Sequence, residues 1–174
     1  MIQPIEIAAL ERLQQPTYRM TEAANSKYAG PFSAKAAKVN TAFLCHSHHD
    51  KLLVEKLILL FAAAGIDLYV DWQDHTMPAS PNRETAEKIQ AKIRDLDLFL
   101  YLATQNSNNS KWCPWEIGYG DHAKGKDKVL IIPTRTATGT SGQEYLSLYP
   151  SIQIDNGKLF RKNPTTGQFT PWTA

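Results

Sequence analysis

The residues best placed to do chemistry lie in Ser110-Lys111-Trp112-Cys113-Pro114-Trp115-Glu116. Two indoles and one carboxylate share this short segment. Aromatic faces beside an acid suit a flat cationic ring and the sugar attached to it. A second such cluster, Asp71-Trp72-Gln73-Asp74, comes earlier. If the fold joins the two clusters, they form a site able to cut an N-glycosidic bond. An acid shielded by indole is partly desolvated, and perturbed acids mark functional sites. The plainer reading of Glu116 is a solvated helix acid paired with Lys111 or Lys124. The plainer reading of Trp72, Trp112 and Trp115 is core or rim packing.

Other chemistries fit less well. His48 and His49 are adjacent and point apart in either regular structure. No Cys or His follows at zinc-like spacing, so no metal is expected. His46 and Ser47 are better read as substrate contacts. A Ser-His-Asp set can be drawn from Ser47, His46 and Asp71, but no nucleophile-elbow pattern supports it. There is no phosphate-cradling glycine loop. Gly118-Tyr119-Gly120 falls inside a helical stretch.

These residues need elements to position them. From residue 41 onward, apolar runs alternate with amphipathic stretches. Residues 41–46, 66–70, 98–103, 129–132 and 151–154 read as strands, the fourth stopped by Pro133. Residues 51–64, a stretch entered at Ser80-Pro81 with a stripe of Ala86, Ile89, Ile93 and Leu96, and 114–123 read as helices. Gly65 suits the end of the first. Strands alternating with helices predict parallel βαβ units. Near-continuous apolar strands predict a sheet covered on both faces. Ligands of such sheets bind outside the carboxyl ends of the strands. That rule sends His46 and Ser47, then Asp71 and Trp72, then the 104–116 stretch, to one crevice.

The ends of the chain read differently. Residues 5–13 suggest a short helix ended by Gln15-Pro16. Residues 21–37, rich in Ala, Ser and Lys, suggest a helical or irregular extension. The expected division is thus an N-terminal extension over 1–40 and a main domain over 41–174. Residues 145–150 suggest a helical turn. Residues 158–161 and 168–170, flanking Asn163-Pro164-Thr165-Thr166-Gly167, suggest a hairpin or a tail laid on the core.

Composition narrows the class. A chain of 174 residues with 43% hydrophobic content supports one domain with a real core. A net charge of +2 with no basic run argues against nucleic-acid binding. No apolar stretch reaches the roughly 18–20 residues of a membrane span. No secretory signal pattern opens the chain, and a cytoplasmic location is expected. Cys45 and Cys113 fit reduced, partly buried thiols there.

Three motifs taken together resemble a known family. They are Phe43-Leu44-Cys45-His46-Ser47-His48-His49-Asp50, Gly65-Ile66-Asp67-Leu68-Tyr69-Val70-Asp71 and Ser110-Lys111-Trp112-Cys113-Pro114-Trp115-Glu116. In this order they look like a bacterial Toll/interleukin-1 receptor (TIR) domain of the stand-alone type, over about residues 41–135. Glu144-Tyr145-Leu146-Ser147-Leu148-Tyr149-Pro150 also resembles the tail of such members. The resemblance implies a flavodoxin-like open parallel sheet of about five strands flanked by helices. It implies cleavage of NAD⁺ at the nicotinamide–ribose bond, with Glu116 catalytic and Trp112 the aromatic four positions before it. Trp72, Trp112 and Trp115 would meet nicotinamide or adenine; Asp71, Ser47 and His46 would contact ribose or phosphate. NAD⁺ would be the substrate, with no separate cofactor. The loop 71–82 would help cover it.

The products would be nicotinamide with ADP-ribose or a cyclic isomer. The resemblance further implies a signal in Thoeris-like anti-phage defence, read by a separate effector, and self-association through the domain. The alternative within the family is a non-catalytic adaptor. The chain departs from the family pattern at Cys45, where a small residue is frequent, and in the 78–81 region, where a Gly is frequent.

Overall fold

The computed structural model describes residues 4–12, 40–78, 80–137, 139–155 and 157–172. The expected extension over 21–37 lies outside the described residues. Among those described, the elements run β1 (Ile5–Glu6), α1 (Ile7–Arg12), β2 (Asn40–Cys45), α2 (Lys51–Ala63), β3 (Ile66–Tyr69) and α3 (Arg83–Asp95). There follow β4 (Leu98–Ala103), α4 (Gln105–Asn108), α5 (Cys113–Lys124), β5 (Val129–Thr136) and β6 (Gly139–Thr140). The chain closes with β7 (Ser151–Asp155), β8 (Lys158–Lys162) and β9 (Phe169–Pro171).

The core strands are apolar on both faces, so they bury both. In β4, Leu100 and Leu102 face one way, and Phe99, Tyr101 and Ala103 the other. On the first face lie Leu53, Val54, Leu57 and Phe61 of α2. On the second lie Ile89 and Ile93 of α3, with Cys113 and Ile117 of α5. Each fully buried large apolar side chain contributes about 1.5–3 kcal/mol.

The sheet order is β3-β2-β4-β5-β7-β8-β9. Pairs β3–β2, β2–β4, β4–β5 and β5–β7 are parallel. This is the expected open α/β sheet with helices on both faces. The chain winds outward from β2 in both directions, so β2 and β4 flank the topological switch point. The expected hairpin is β8–β9. It does not lie on the core as a tail but extends the sheet by antiparallel pairing onto β7.

Three local expectations are corrected. The fourth strand does not stop at Pro133 but runs to Thr136. Pro133 is the last β5 residue opposite β4, paired with Ala103, and beyond it Thr134 and Arg135 pair with β1. A proline lacks only its own donor, and here it sits where the partner changes. Second, Ile5 and Glu6 form not the start of a helix but a strand, with Ile5 buried in the core. Third, α3 starts not at Ser80-Pro81 but after Asn82, whose side chain accepts from Thr85 N at 3.0 Å in a capping box.

Two contacts fix the position of α5. A Cβ on Gly120 would lie 2.9 Å from Phe99 Cδ2, so the helix sits closer to β4 than any larger residue permits. Phe99 in turn stacks on Phe43 of β2 at 5.6 Å between ring centroids. At the far end of the chain, Trp172 meets Phe61 edge-on at 6.0 Å and donates its backbone N–H to Leu159 O at 2.9 Å.

Candidate active site

The carboxyl ends of β2, β3 and β4 carry the candidate residues. β2 ends in Cys45 and leads to His46 and Ser47. β3 leads through Val70 to Asp71. β4 leads to Thr104 and the loop that returns as α5. Ser110 Oγ accepts from the backbone N–H groups of Trp112 and Cys113, both at 3.2 Å, and Pro114 stands in the first turn, where its missing donor costs nothing. This start places Glu116 one turn into α5, pointing back over the switch point.

Glu116 is only 6% exposed. Its side chain lies within the electrostatic reach of Cys45, Cys113 and Asp71, and the Cys45 thiol donates to Cys113 O at 3.8 Å. Burial pushes its carboxyl up to about 8, Cys113 and Asp71 push the same way, and Cys45 opposes them. This is the signature of an acid placed for chemistry rather than for solubility.

His46 is held by its Nδ1, which donates to Leu44 O at 2.9 Å, and its Nε2 stands 3.8 Å from Asp71 Oδ1. Asp71 keeps a partly exposed carboxylate and accepts from Trp72 N at 2.8 Å. Ser47 is buried and uses its hydroxyl locally, accepting from His49 N at 3.4 Å to cap the short turn His48–Asp50.

The indoles divide. Trp72 packs on the α2 side of the sheet, with Lys51 Nζ 4.7 Å from its ring centroid. Trp112 packs on the opposite, α3–α5 side. The turns after β3 and before α5 thus send the two rings to different faces of the sheet. The acids of the two clusters, Asp71 and Glu116, are what the fold brings together. Trp115 is exposed, edge-on to Trp112 at 5.4 Å and stacked on Tyr119 at 6.3 Å.

Two site residues escaped the sequence reading. Asp50 is buried and receives Thr104 Oγ1 at 2.5 Å and Asn106 Nδ2 at 2.6 Å, tying the β4–α5 loop to the start of α2. Its signal was its place in the polar run after a buried strand. Cys45, expected as a reduced and partly buried thiol, is free and fully buried at the last residue of a switch-point strand. No group of three or more metal-ligating side chains occurs among the described residues. None of their helices is long and apolar enough to cross a membrane.

Comparison with known proteins agrees with this fold. A family model described as TIR domain matches residues 42–163. A protein of Bacillus cereus (strain MSX-D12), named "Probable 3' cyclic ADP-D-ribose synthase ThsB'", is 33% identical over 120 residues, covering 66% of this chain and 61% of that protein. A protein of Cytobacillus dafuensis, provisionally named cyclic ADP-D-ribose synthase TIR2, is 25% identical over 117 residues, covering 58% of this chain and 31% of that protein. The chain thus spans less than two thirds of the length of either relative.

Proposed function

The chain belongs to the TIR-domain family, and from that premise we propose that it cleaves NAD⁺ at the nicotinamide–ribose bond and closes the remainder into a cyclic ADP-ribose. The observation that carries this reading is Glu116: a carboxyl nearly removed from water, at the switch point of a parallel sheet, with Asp71 beside it. The names of both relatives point to the same product class.

The chemistry follows from charge. The nicotinamide ring of NAD⁺ is already cationic, so it leaves without an acid. In the empty site, burial holds Glu116 protonated up to about 8. An arriving cation favours the charged form and drives that proton off. The ionised carboxylate then faces the ribose. As the carbon–nitrogen bond breaks, its electron pair goes to the ring nitrogen and positive charge moves to the ribosyl carbon. A fixed carboxylate in a water-poor site stabilises that cation. The same logic places carboxylates in glycoside hydrolysis. A nucleophilic group from the adenosine end attacks the ribosyl carbon and gives up any proton it carries to Glu116 or solvent. Exclusion of water favours this closure over ADP-ribose. Asp71 adds negative charge at the same edge, and Trp115 offers an exposed ring for a base. The product serves as a signal for a separate effector, and self-association completes the site.

Purified protein with NAD⁺, its products separated by chromatography beside those of Glu116→Ala, tests this. Nicotinamide and a cyclic isomer from the wild type alone are expected. Equal turnover by both proteins removes Glu116 from its role. Absence of turnover at every protein concentration, with tight binding to another TIR protein, supports an adaptor instead.

A further inference from the structure

We propose that Asp50 is a positioning residue for Glu116: by holding the loop between β4 and α5, it sets where α5 begins and so where the acid stands. Asp50 follows β2 after one short turn, which its backbone N–H closes by donating to Ser47 O at 2.8 Å. Its carboxyl is buried and takes one donor on each oxygen. Thr104 Oγ1 donates to Oδ2 at 2.5 Å, and Asn106 Nδ2 donates to Oδ1 at 2.6 Å. Both donors stand just beyond the carboxyl end of β4, the strand paired with β2. Asp50 thus bridges the two strands that flank the switch point.

From Asp50 an unbroken run of hydrogen bonds leads to Glu116. Thr104 Oγ1, held by Asp50, accepts from Ser107 N at 3.0 Å, and Ser107 Oγ accepts from Thr104 N at 2.8 Å. Both residues are buried. Ser107 O accepts from Ser110 N at 3.2 Å. Ser110 Oγ accepts from the backbone N–H groups of Trp112 and Cys113. Trp112 O accepts from Glu116 N at 2.9 Å. The links after the first are local, and short polar side chains can make such bonds in several backbone shapes. Residues 104–110, Thr-Gln-Asn-Ser-Asn-Asn-Ser, offer no large apolar side chain with which packing could select one shape. Asp50 makes that selection, because it reaches the loop from another element. Burying an acid is costly unless it is hydrogen-bonded, and here both oxygens are used on this loop. Cys45 also ties the start of α5 to β2, but a thiol is a weak donor and its bond to Cys113 O does not touch the loop. The role in the reaction rests on the reading of Glu116 given above, whereas the run of bonds does not.

Turnover and hydrogen exchange together test the inference. Asp50→Ala removes both acceptors, and kcat with NAD⁺ is expected to fall about 30-fold while KM changes less than about threefold, as a displaced group slows the chemical step. Asp50→Asn keeps an acceptor for Thr104 and meets the Asn106 amide once that amide turns over. It is expected to recover about tenfold of the loss, whereas a role resting on the charge of Asp50 would leave asparagine as slow as alanine. Amide exchange followed by NMR without NAD⁺ reads the run of bonds itself. In Asp50→Ala the Trp112, Cys113 and Glu116 amides are expected to exchange about tenfold faster, while those of Ile89 and Ile93 in α3 keep wild-type rates. Uniform acceleration, a loss confined to KM, or an asparagine variant no faster than alanine overturns the proposal. If Asp50→Ala does not fold, Asn106→Ala decides, because Asn106 is exposed. A fall in kcat of about threefold, with faster exchange at the same three amides, supports the role, and unchanged values overturn it. Turnover absent from every protein, with the exchange pattern intact, counts against the cleavage reading and for the role of Asp50. A lost exchange pattern with turnover intact does the reverse.

Discussion

Glu116 and Asp74 both stand at the carboxyl edge of one sheet, yet their surroundings are opposite. Asp74 is also partly removed from water, which works against its charge. Thr76 donates to it from both its hydroxyl and its backbone N–H, Tyr69 donates its phenol at 2.7 Å, and Lys92 stands 3.6 Å away. The donors win, and its carboxyl is held at about 2. Glu116 is buried without such a set of donors, and its carboxyl is pushed up to about 8. The difference teaches that a carboxylate supplied with donors serves the fold, here by tying the loop after β3 to α3. One starved of donors leaves its capacity for a ligand.

The comparison breaks most visibly at Glu116 itself. Glu116→Gln keeps the shape and loses the charge, and a fall in kcat/KM of about 10³-fold is expected in an NAD⁺ turnover assay. Asp74→Asn is expected to act on the fold instead, lowering unfolding free energy by about 1–3 kcal/mol in a urea titration while the chemical step survives. Its sign with pH is fixed: a depressed carboxyl contributes stability above its unfolded value of 3.8, and that stability is lost as pH falls toward about 2.

A smaller effect concerns the pH profile. If ionised Glu116 is the active form, kcat/KM climbs about tenfold per pH unit below a midpoint near 8, where the free enzyme titrates. A flat profile from pH 6 to 9 would contradict the assignment. The smallest effect runs opposite to that at Asp74. Between the unfolded value of 4.5 and about 8, the folded protein keeps a proton that the unfolded chain has lost, so stability falls as pH rises. Glu116→Gln removes this penalty. In a urea titration at pH 8 it is expected to raise unfolding free energy relative to the wild type, and to lose that advantage as pH falls toward 4.5, the trade of stability for function that active sites show.

The sheet was legible because its strands are buried on both faces. The run 98–103 needs no partner to announce itself, and β4 has those bounds. Strand-end logic then put Asp71 and Glu116 at one edge. Two-residue β1 was hidden because Ile5 and Glu6 carry no period, only a register against Thr134 and Arg135. The division of the tryptophans was hidden for a related reason. Spacing tells which strand end a residue follows, not which face the next turn selects, and Trp72 and Trp112 parted there. The contact between Cys45 and Cys113, at the start of the helix that carries Glu116, joins residues far apart in the chain, and neither neighbourhood names the other.

The strap formed by Trp172 over Phe61 bears on where this domain can be cut. The family match ends at 163, and the described chain has its first core residue at Ile5. Ile5 and Trp172 nonetheless belong to the same packed face, the one that α2 covers. Sequence similarity marks out the part of the molecule that carries chemistry. The packed unit is wider than that, and its two outlying segments close on one side. A fusion partner or surface tether attached beyond either end therefore meets the α2 face first, leaving the α3–α5 face and Trp115 open to whatever the protein meets.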